Sequence, residues 1–254
     1  MITEPNAKVN IGLDVLRKRP DGYHDLESLF VPCFNFRDTL EITEAPKFSV
    51  DIDFGNAAPW DPMSDLTVKA YRLLCKDFQL PKVRISLTKR IPVGAGLGGG
   101  SADGAFALRM MSEMFDLYMP DELLECYAAE LGSDCPFFVY NRPMFVSGRG
   151  DELEPAEFPA LDDYRLEVIV PEGISVSTGT AYKGIVPAVP QLPLREALAR
   201  PVEEWRDCVK NDFEKTVFEA YPSLAGMKEA LYSRGAVYAA MSGSGSALFA
   251  LWRK

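Results

Sequence analysis

A glycine run between an alternating segment and a helical one limits what this chain can fold into. Residues Pro92 to Asp103 read Pro-Val-Gly-Ala-Gly-Leu-Gly-Gly-Gly-Ser-Ala-Asp, with five glycines between Gly94 and Gly100. Val83, Ile85 and Leu87 alternate before the run, as in a strand, and Ala102 to Met114 is patterned as a helix after it. Residues without a Cβ let the backbone approach an anion closely. A helix starting at the end of the run adds unpaired amides and the positive end of its dipole. The pattern predicts a strand, a loop and a helix that together hold a chain of phosphates.

Gly94, Gly96 and Gly99 satisfy G-x-G-x-x-G, which alone is a weak signal. A dinucleotide site needs an acidic residue about 20 positions on, at the end of a second strand. Asp116 has roughly that spacing, but Met110, Met111, Met114, Leu123 and Leu124 around it are patterned as helix. A Walker loop ends in Gly-Lys-Ser/Thr, which is missing here. A protein-kinase loop lies between two strands, whereas a helix follows this one. A flexible linker would not usually run straight into an apolar helix. A phosphate loop of another type is left.

The bulk numbers agree with a small-molecule site. At 254 residues the chain suits one large domain or two small ones. It is 47% hydrophobic and 25% charged, as in ordinary globular proteins. Its apolar runs are shorter than a membrane span, and Met-Ile-Thr-Glu-Pro-Asn-Ala-Lys has no basic-then-apolar signal pattern. Five scattered cysteines without a C-x-x-C pair predict a reducing, cytoplasmic setting rather than a disulfide frame or zinc site. The net charge of −10 disfavours a nucleic-acid groove but not a small anion held by local amides and lysines. The single histidine, His24, excludes chemistry that needs a His pair.

Alternation predicts strands at Val9 to Val15, Leu26 to Phe36, Leu40 to Ile42 and Phe48 to Phe54, with a polar hairpin loop from Arg17 to His24. Helices are predicted at Ser64 to Phe78, with Ser64 as N-cap, and at Pro120 to Leu131, stopping at Gly132. Strand-like pieces follow at Pro136 to Tyr140 and Met144 to Ser147, then an acidic linker from Asp151 to Asp163. Beyond it a strand is predicted at Arg165 to Val170, and helices at Thr178 to Lys183, Leu194 to Ala199, Val202 to Val209 and Glu214 to Arg234. Two last strands, Ala236 to Met241 and Ala247 to Trp252, flank Ser242-Gly-Ser-Gly-Ser246. Strands and helices interspersed without regular βαβ alternation indicate an α+β architecture.

Pro92-x-Gly-x-Gly-Leu-Gly-Gly-Gly-Ser101 resembles the central motif of the galactokinase, homoserine kinase, mevalonate kinase and phosphomevalonate kinase (GHMP) superfamily. Its two other motifs stand in the same order, as Ala7-Lys-Val-Asn-Ile-Gly-Leu13 and Met241-Ser-Gly-Ser-Gly-Ser246. Pro20-Asp-Gly-Tyr-His24, Leu131-Gly-Ser-Asp-Cys-Pro-Phe-Phe138 and Asn211-Asp-Phe-Glu214 are similar to strings of one branch. That branch phosphorylates the 2-hydroxyl of 4-diphosphocytidyl-2-C-methyl-D-erythritol, on the non-mevalonate route to isoprenoid precursors. The resemblance spans nearly the whole chain.

It implies a two-domain α+β GHMP kinase fold. An N-terminal domain like the second domain of ribosomal protein S5 would occupy residues 1–155, and a ferredoxin-like domain residues 156–254. It implies ATP as donor with Mg2+ bridging its phosphates, a cytidine-diphosphate-linked small molecule as acceptor, and no nucleic-acid, membrane or protein partner. The ATP loop would comprise Pro92, Val93, Gly94, Ala95, Gly96, Leu97, Gly98, Gly99, Gly100, Ser101 and Ala102, with Lys89 a further contact and Ser101 a route to the magnesium. Asp134 would be the general base for the acceptor hydroxyl, and Lys8 would offset developing charge and keep Asp134 ionised. By position alone Lys8 reads as a solvated strand-end lysine, and Asp134 equally as a helix-end turn residue.

Asn10 alternates onto the face of Lys8, and by resemblance orients the acceptor. Tyr23 would stack on the cytosine while His24 bonds its polar edge. Thr178 would touch the substrate, Tyr182 would form the second face of a cytosine sandwich, and Gly243 and Ser244 would meet the diphosphate. Without the family, Tyr23 and His24 read as a loop pair covering the core, Tyr182 as helix packing, and Gly243-Ser244 as a hairpin turn.

The chain departs from the pattern in places. Ser101-Ala-Asp-Gly-Ala stands where the family usually has Ser-Ser-Asp-Ala-Ala, so one hydroxyl is lost, and Gly104 should weaken the helix by about 1 kcal/mol. Asp65 replaces a frequent asparagine near the adenine, and a carboxylate cannot donate as an amide can. Three rivals stand against the reading. A homoserine or mevalonate kinase has no base to bind and no need of Tyr23 and His24. A decarboxylase of the same fold would release carbon dioxide. A non-catalytic nucleotide-binding protein would be favoured by loss of Lys8 or Asp134, yet both are present.

Overall fold

The computed structural model describes residues 1–254, except the side chains of residues 159 and 160. In chain order the first strands are β1 (Ile2–Thr3), β2 (Asn6–Lys18), β3 (His24–Arg37), β4 (Thr39–Glu44) and β5 (Ser49–Asp53). Then come α1 (Leu66–Asp77), β6 (Val83–Thr88), α2 (Gly99–Met114), α3 (Asp121–Leu131) and α4 (Cys135–Tyr140). The chain continues through β7 (Met144–Ser147), β8 (Glu152–Pro155), β9 (Tyr164–Ile169), α5 (Thr178–Tyr182), α6 (Leu194–Leu198) and α7 (Trp205–Cys208). It ends with α8 (Phe213–Ala220), α9 (Pro222–Ser233), β10 (Tyr238–Met241) and β11 (Leu248–Arg253).

The chain forms two compact units that interleave along the sequence. The first comprises Met1–Ala7, Phe34–Val93 and Gly98–Arg142. Its sheet runs β1-β4-β6-β5, antiparallel except for β5 against β6. Leu40, Ile42, Ile85 and Leu87 on these strands are fully buried, as are Val68 and Leu74 of α1 and Ala107, Leu108 and Met111 of α2. A Cβ on Gly104 would lie 3.1 Å from Leu66 Cβ and 3.3 Å from Leu131 Cδ1. The glycine that weakens α2 by propensity therefore lets neighbouring helices close on it.

The second unit comprises Lys8–Cys33, Gly94–Leu97 and Pro143–Lys254. It holds most of the sheet β2-β3-β7-β8 and the antiparallel sheet β10-β11-β9. Leu13 and Val15 of β2 join a core with Phe213, Val217, Leu224, Leu231, Met241 and Leu248.

Four sequence expectations are corrected. Pro136 to Tyr140 is helical rather than extended, because a short run buried on all sides has no readable period, and its proline occupies the first helical turn. The predicted helix from Glu214 to Arg234 is two helices. Pro222 cannot donate and forces Tyr221 to φ −131°, ψ 74°, so α8 stops and α9 starts. The acidic linker contains β8, which pairs with β7. Asp65, not Ser64, caps α1, accepting from the Thr67 N–H at 2.9 Å. No helix among the described residues is long and apolar enough to cross a membrane.

Candidate active site

In the second unit, β2 presents Lys8 and Asn10 on one face, as their alternation requires. Both are buried, at 3% and 2% exposure. Lys8 Nζ donates to Asn10 Oδ1 at 2.5 Å and lies 4.2 Å from the centre of the Phe30 ring. Asn10 Nδ2 donates to Ser28 Oγ at 3.1 Å, and Ser28 Oγ donates to the Gly12 carbonyl at 2.6 Å. The solvated strand-end reading of Lys8 is thereby excluded.

The middle of the glycine run docks onto the same unit. The Lys8 N–H donates to the Leu97 carbonyl at 2.9 Å, and the Ala247 N–H to the Ala95 carbonyl at 3.1 Å. Ser242 Oγ donates to the Gly96 carbonyl at 2.9 Å and accepts from the Asn10 N–H at 3.3 Å. Gly96 has φ +78°, and a Cβ there would fall 2.2 Å from the Ser242 carbonyl oxygen. Gly243 follows, and Thr178 Oγ1 lies 3.3 Å from Ser244 Oγ.

His24, half-buried at the start of β3, stacks on Tyr182 at 4.8 Å and 20°. Tyr182 meets Phe213 edge-on at 4.7 Å. Tyr23 is 60% exposed, with the Arg149 guanidinium 5.4 Å from the centre of its ring. Tyr182 thus already has His24 on its ring, and a base between the two would have to displace that contact.

In the first unit, α2 starts at Gly99 after Gly98, which has φ 72° and supplies no side-chain cap. The first amides of a helix have no acceptor within it, so this uncapped start suits an anion. Ser101 is half-buried there, near the Cys135 thiol, whose pKa burial pushes up to about 12 against a smaller lowering effect of Ser101. Ala102 is fully buried and its N–H donates to the Gly98 carbonyl, so it offers nothing to a phosphate. Lys89 is 5% exposed, with its ammonium on the carboxylates of Asp38 and Asp103 rather than facing a ligand. Burial opposes its charge but the two carboxylates outweigh it and raise its pKa, while burial pushes the Asp103 carboxyl well up. Asp65 is occupied by its cap and by the Trp60 indole N–H, which leaves it poorly suited to an adenine. Asp134 stands at the N-cap position of α4 without capping it.

Two family models match the chain: GHMP kinases N terminal domain over residues 65–142, and GHMP kinases C terminal over residues 194–254. A 4-diphosphocytidyl-2-C-methyl-D-erythritol kinase of Bacteroides fragilis is 49% identical over 99% of this chain and 92% of its own length. The chain belongs to the 4-diphosphocytidyl-2-C-methyl-D-erythritol kinase family of GHMP kinases. A crystal structure of a 4-(cytidine 5'-diphospho)-2C-methyl-D-erythritol kinase agrees, with TM-score 0.82 and 32% identity over 99% of this chain and 90% of that one. A homoserine kinase from Cytophaga hutchinsonii shares the GHMP fold alone, with TM-score 0.67 and 19% identity over 98% of this chain and 85% of its own.

Sequence reasoning on this GHMP kinase missed the residues behind the motifs. Asn211 Nδ2 donates to the carbonyls of Met241 and Gly243 at 2.7 and 2.9 Å. Glu214 Oε1 accepts from the Met241 N–H at 2.8 Å. The string Asn211-Asp-Phe-Glu214 was a signal for them, because two polar side chains at that spacing can hold one backbone segment. Ser28 and Arg149 carried no such signal.

Proposed function

We propose that this chain moves the γ-phosphoryl group of ATP onto the 2-hydroxyl of 4-diphosphocytidyl-2-C-methyl-D-erythritol. The observation that carries the reading is Lys8, whose N–H holds the glycine loop at Leu97 and whose buried ammonium is aimed by Asn10. Phosphoryl transfer needs positioning and charge neutralisation more than covalent help. The amides of Gly94 to Gly100 and the uncapped start of α2 hold the phosphates. Lys8 offsets the charge that develops as the new bond forms, and Asp134 takes the acceptor's proton. Asn10 orients the acceptor, Thr178 touches the substrate, and Gly243 and Ser244 meet its diphosphate.

No group of three or more His, Cys, Asp or Glu among the described residues could hold a metal by itself. The kinase reading implies Mg2+ carried on the triphosphate, since that ion keeps few protein ligands, and the Ser101 hydroxyl would be the protein group to hold it. It would neutralise phosphate charge. We place the division between the two family domains at residue 155 and the protein in the cytoplasm, on its reduced, scattered cysteines.

The exposed Tyr23 ring is the platform for cytosine, with His24 at its polar edge. Tyr182 serves by its stacking contact with His24 or, once that contact opens, as the second face. Base-on-aromatic stacking contributes about 1–3 kcal/mol. Tyr23→Ala is expected to raise KM for the cytidine substrate about tenfold and leave KM for ATP within twofold. Equal changes in both constants would remove the stacking role.

A further inference from the structure

One buried ion network touches both ends of the glycine run. Asp38, wholly buried between β3 and β4, accepts from the N–H groups of Arg90 and Ile91 at 2.5 and 2.8 Å through Oδ1. Its Oδ2 meets the Lys89 ammonium. The same ammonium donates to Asp103 Oδ2 at 2.5 Å, and Asp103 lies within α2. Arg90 and Ile91 lead into the loop, and α2 leads out of it. A Cβ on Gly99 would come within 2.8 Å of Ile91 Cγ2 and 3.5 Å of Lys89 Nζ, so the first residue of α2 closes against this network.

Buried ion groups add little net stability because desolvation cancels much of their attraction, but they fix geometry when every contact is made. We propose that Lys89, Asp38 and Asp103 are positioning residues that clamp the entry and exit of the ATP loop, so that the triphosphate meets amides already in place. The inference rests on the kinase reading of that loop, and it moves Lys89 from ligand contact to support. Ordering backbone costs conformational entropy, so a loosened loop loses nucleotide affinity first. Asp103 Oδ1 has no hydrogen-bond partner, so an asparagine can keep the Lys89 contact through its single carbonyl oxygen.

The test is calorimetric titration of a non-hydrolysable ATP analogue, and separately of the cytidine substrate, into the parent, Lys89→Met, Asp103→Leu and Asp103→Asn. Thermal midpoints are recorded for each. Lys89→Met and Asp103→Leu are expected to bind the nucleotide about tenfold more weakly and the cytidine substrate within twofold of the parent. Asp103→Asn is expected to recover most of that loss, which general destabilisation would not arrange. Nucleotide affinity within twofold of the parent in Lys89→Met, or equal loss for both ligands, overturns the clamp. Should Lys89→Met not fold, Asp38→Asn is read in its place: a nucleotide-specific loss of about threefold or more supports the clamp, and a smaller or shared loss overturns it. A parent that binds no nucleotide would instead defeat the kinase reading itself.

Discussion

Asp134→Ala is expected to lower kcat by about 10²–10⁴-fold, the usual contribution of a general base, while ATP affinity stays within twofold. The structure sharpens this expectation. An aspartate at an N-cap position commonly holds the first helical amides, and its loss then costs about 1 kcal/mol of stability. Asp134 makes no capping bond to α4, so the variant loses no such capping contribution. A catalytic deficit larger than any accompanying loss of stability is the signature to look for. It is read from single-turnover rates, with nucleotide binding measured on the same preparation. Near-parental turnover in the folded variant would remove Asp134 from the proton transfer. A loss of stability matching the loss of rate would assign it a structural role.

Gly96→Ala is expected to be the most damaging single change in the loop. A left-handed backbone costs a residue with a side chain about 1–2 kcal/mol. The added Cβ would also fall 2.2 Å from a backbone oxygen of Ser242, which has no flexible end to give way. Overpacking of this kind costs about 1–3 kcal/mol more. The stability lost in urea unfolding should then be about 2–5 kcal/mol. If the loop detaches instead to spare the fold, stability holds and nucleotide affinity falls by about tenfold or more. A variant with parental stability and parental nucleotide binding would show that the loop does not dock on the Ser242 turn.

The fold was legible where one residue pattern had one physical solution. The alternation from Val9 to Val15 became β2, and the apolar face of Leu66, Ala70, Leu73 and Leu74 became α1. The order strand, glycine loop, helix held, although α2 begins at Gly99, three residues earlier than its apolar pattern suggests. Legibility failed where burial erased the pattern, as at Pro136 to Tyr140, and where one proline outweighed a long helical period, as at Pro222.

At the site, spacing told which residues could share a face but not how each polar atom is satisfied. Lys8 and Asn10 were readable because a strand alternates. The inward turn of Lys89 was not, because its partners Asp38 and Asp103 lie 51 and 14 residues away in sequence. His24 on Tyr182 was hidden for the same reason, since two segments far apart in the chain supply the rings.

The most direct test is ATP consumption by the purified protein with 4-diphosphocytidyl-2-C-methyl-D-erythritol, homoserine and mevalonate offered separately. Turnover is expected with the cytidine compound alone, as is its loss in Asp134→Ala. Turnover with homoserine or mevalonate instead, or ATP binding with no turnover on any of the three, would contradict it.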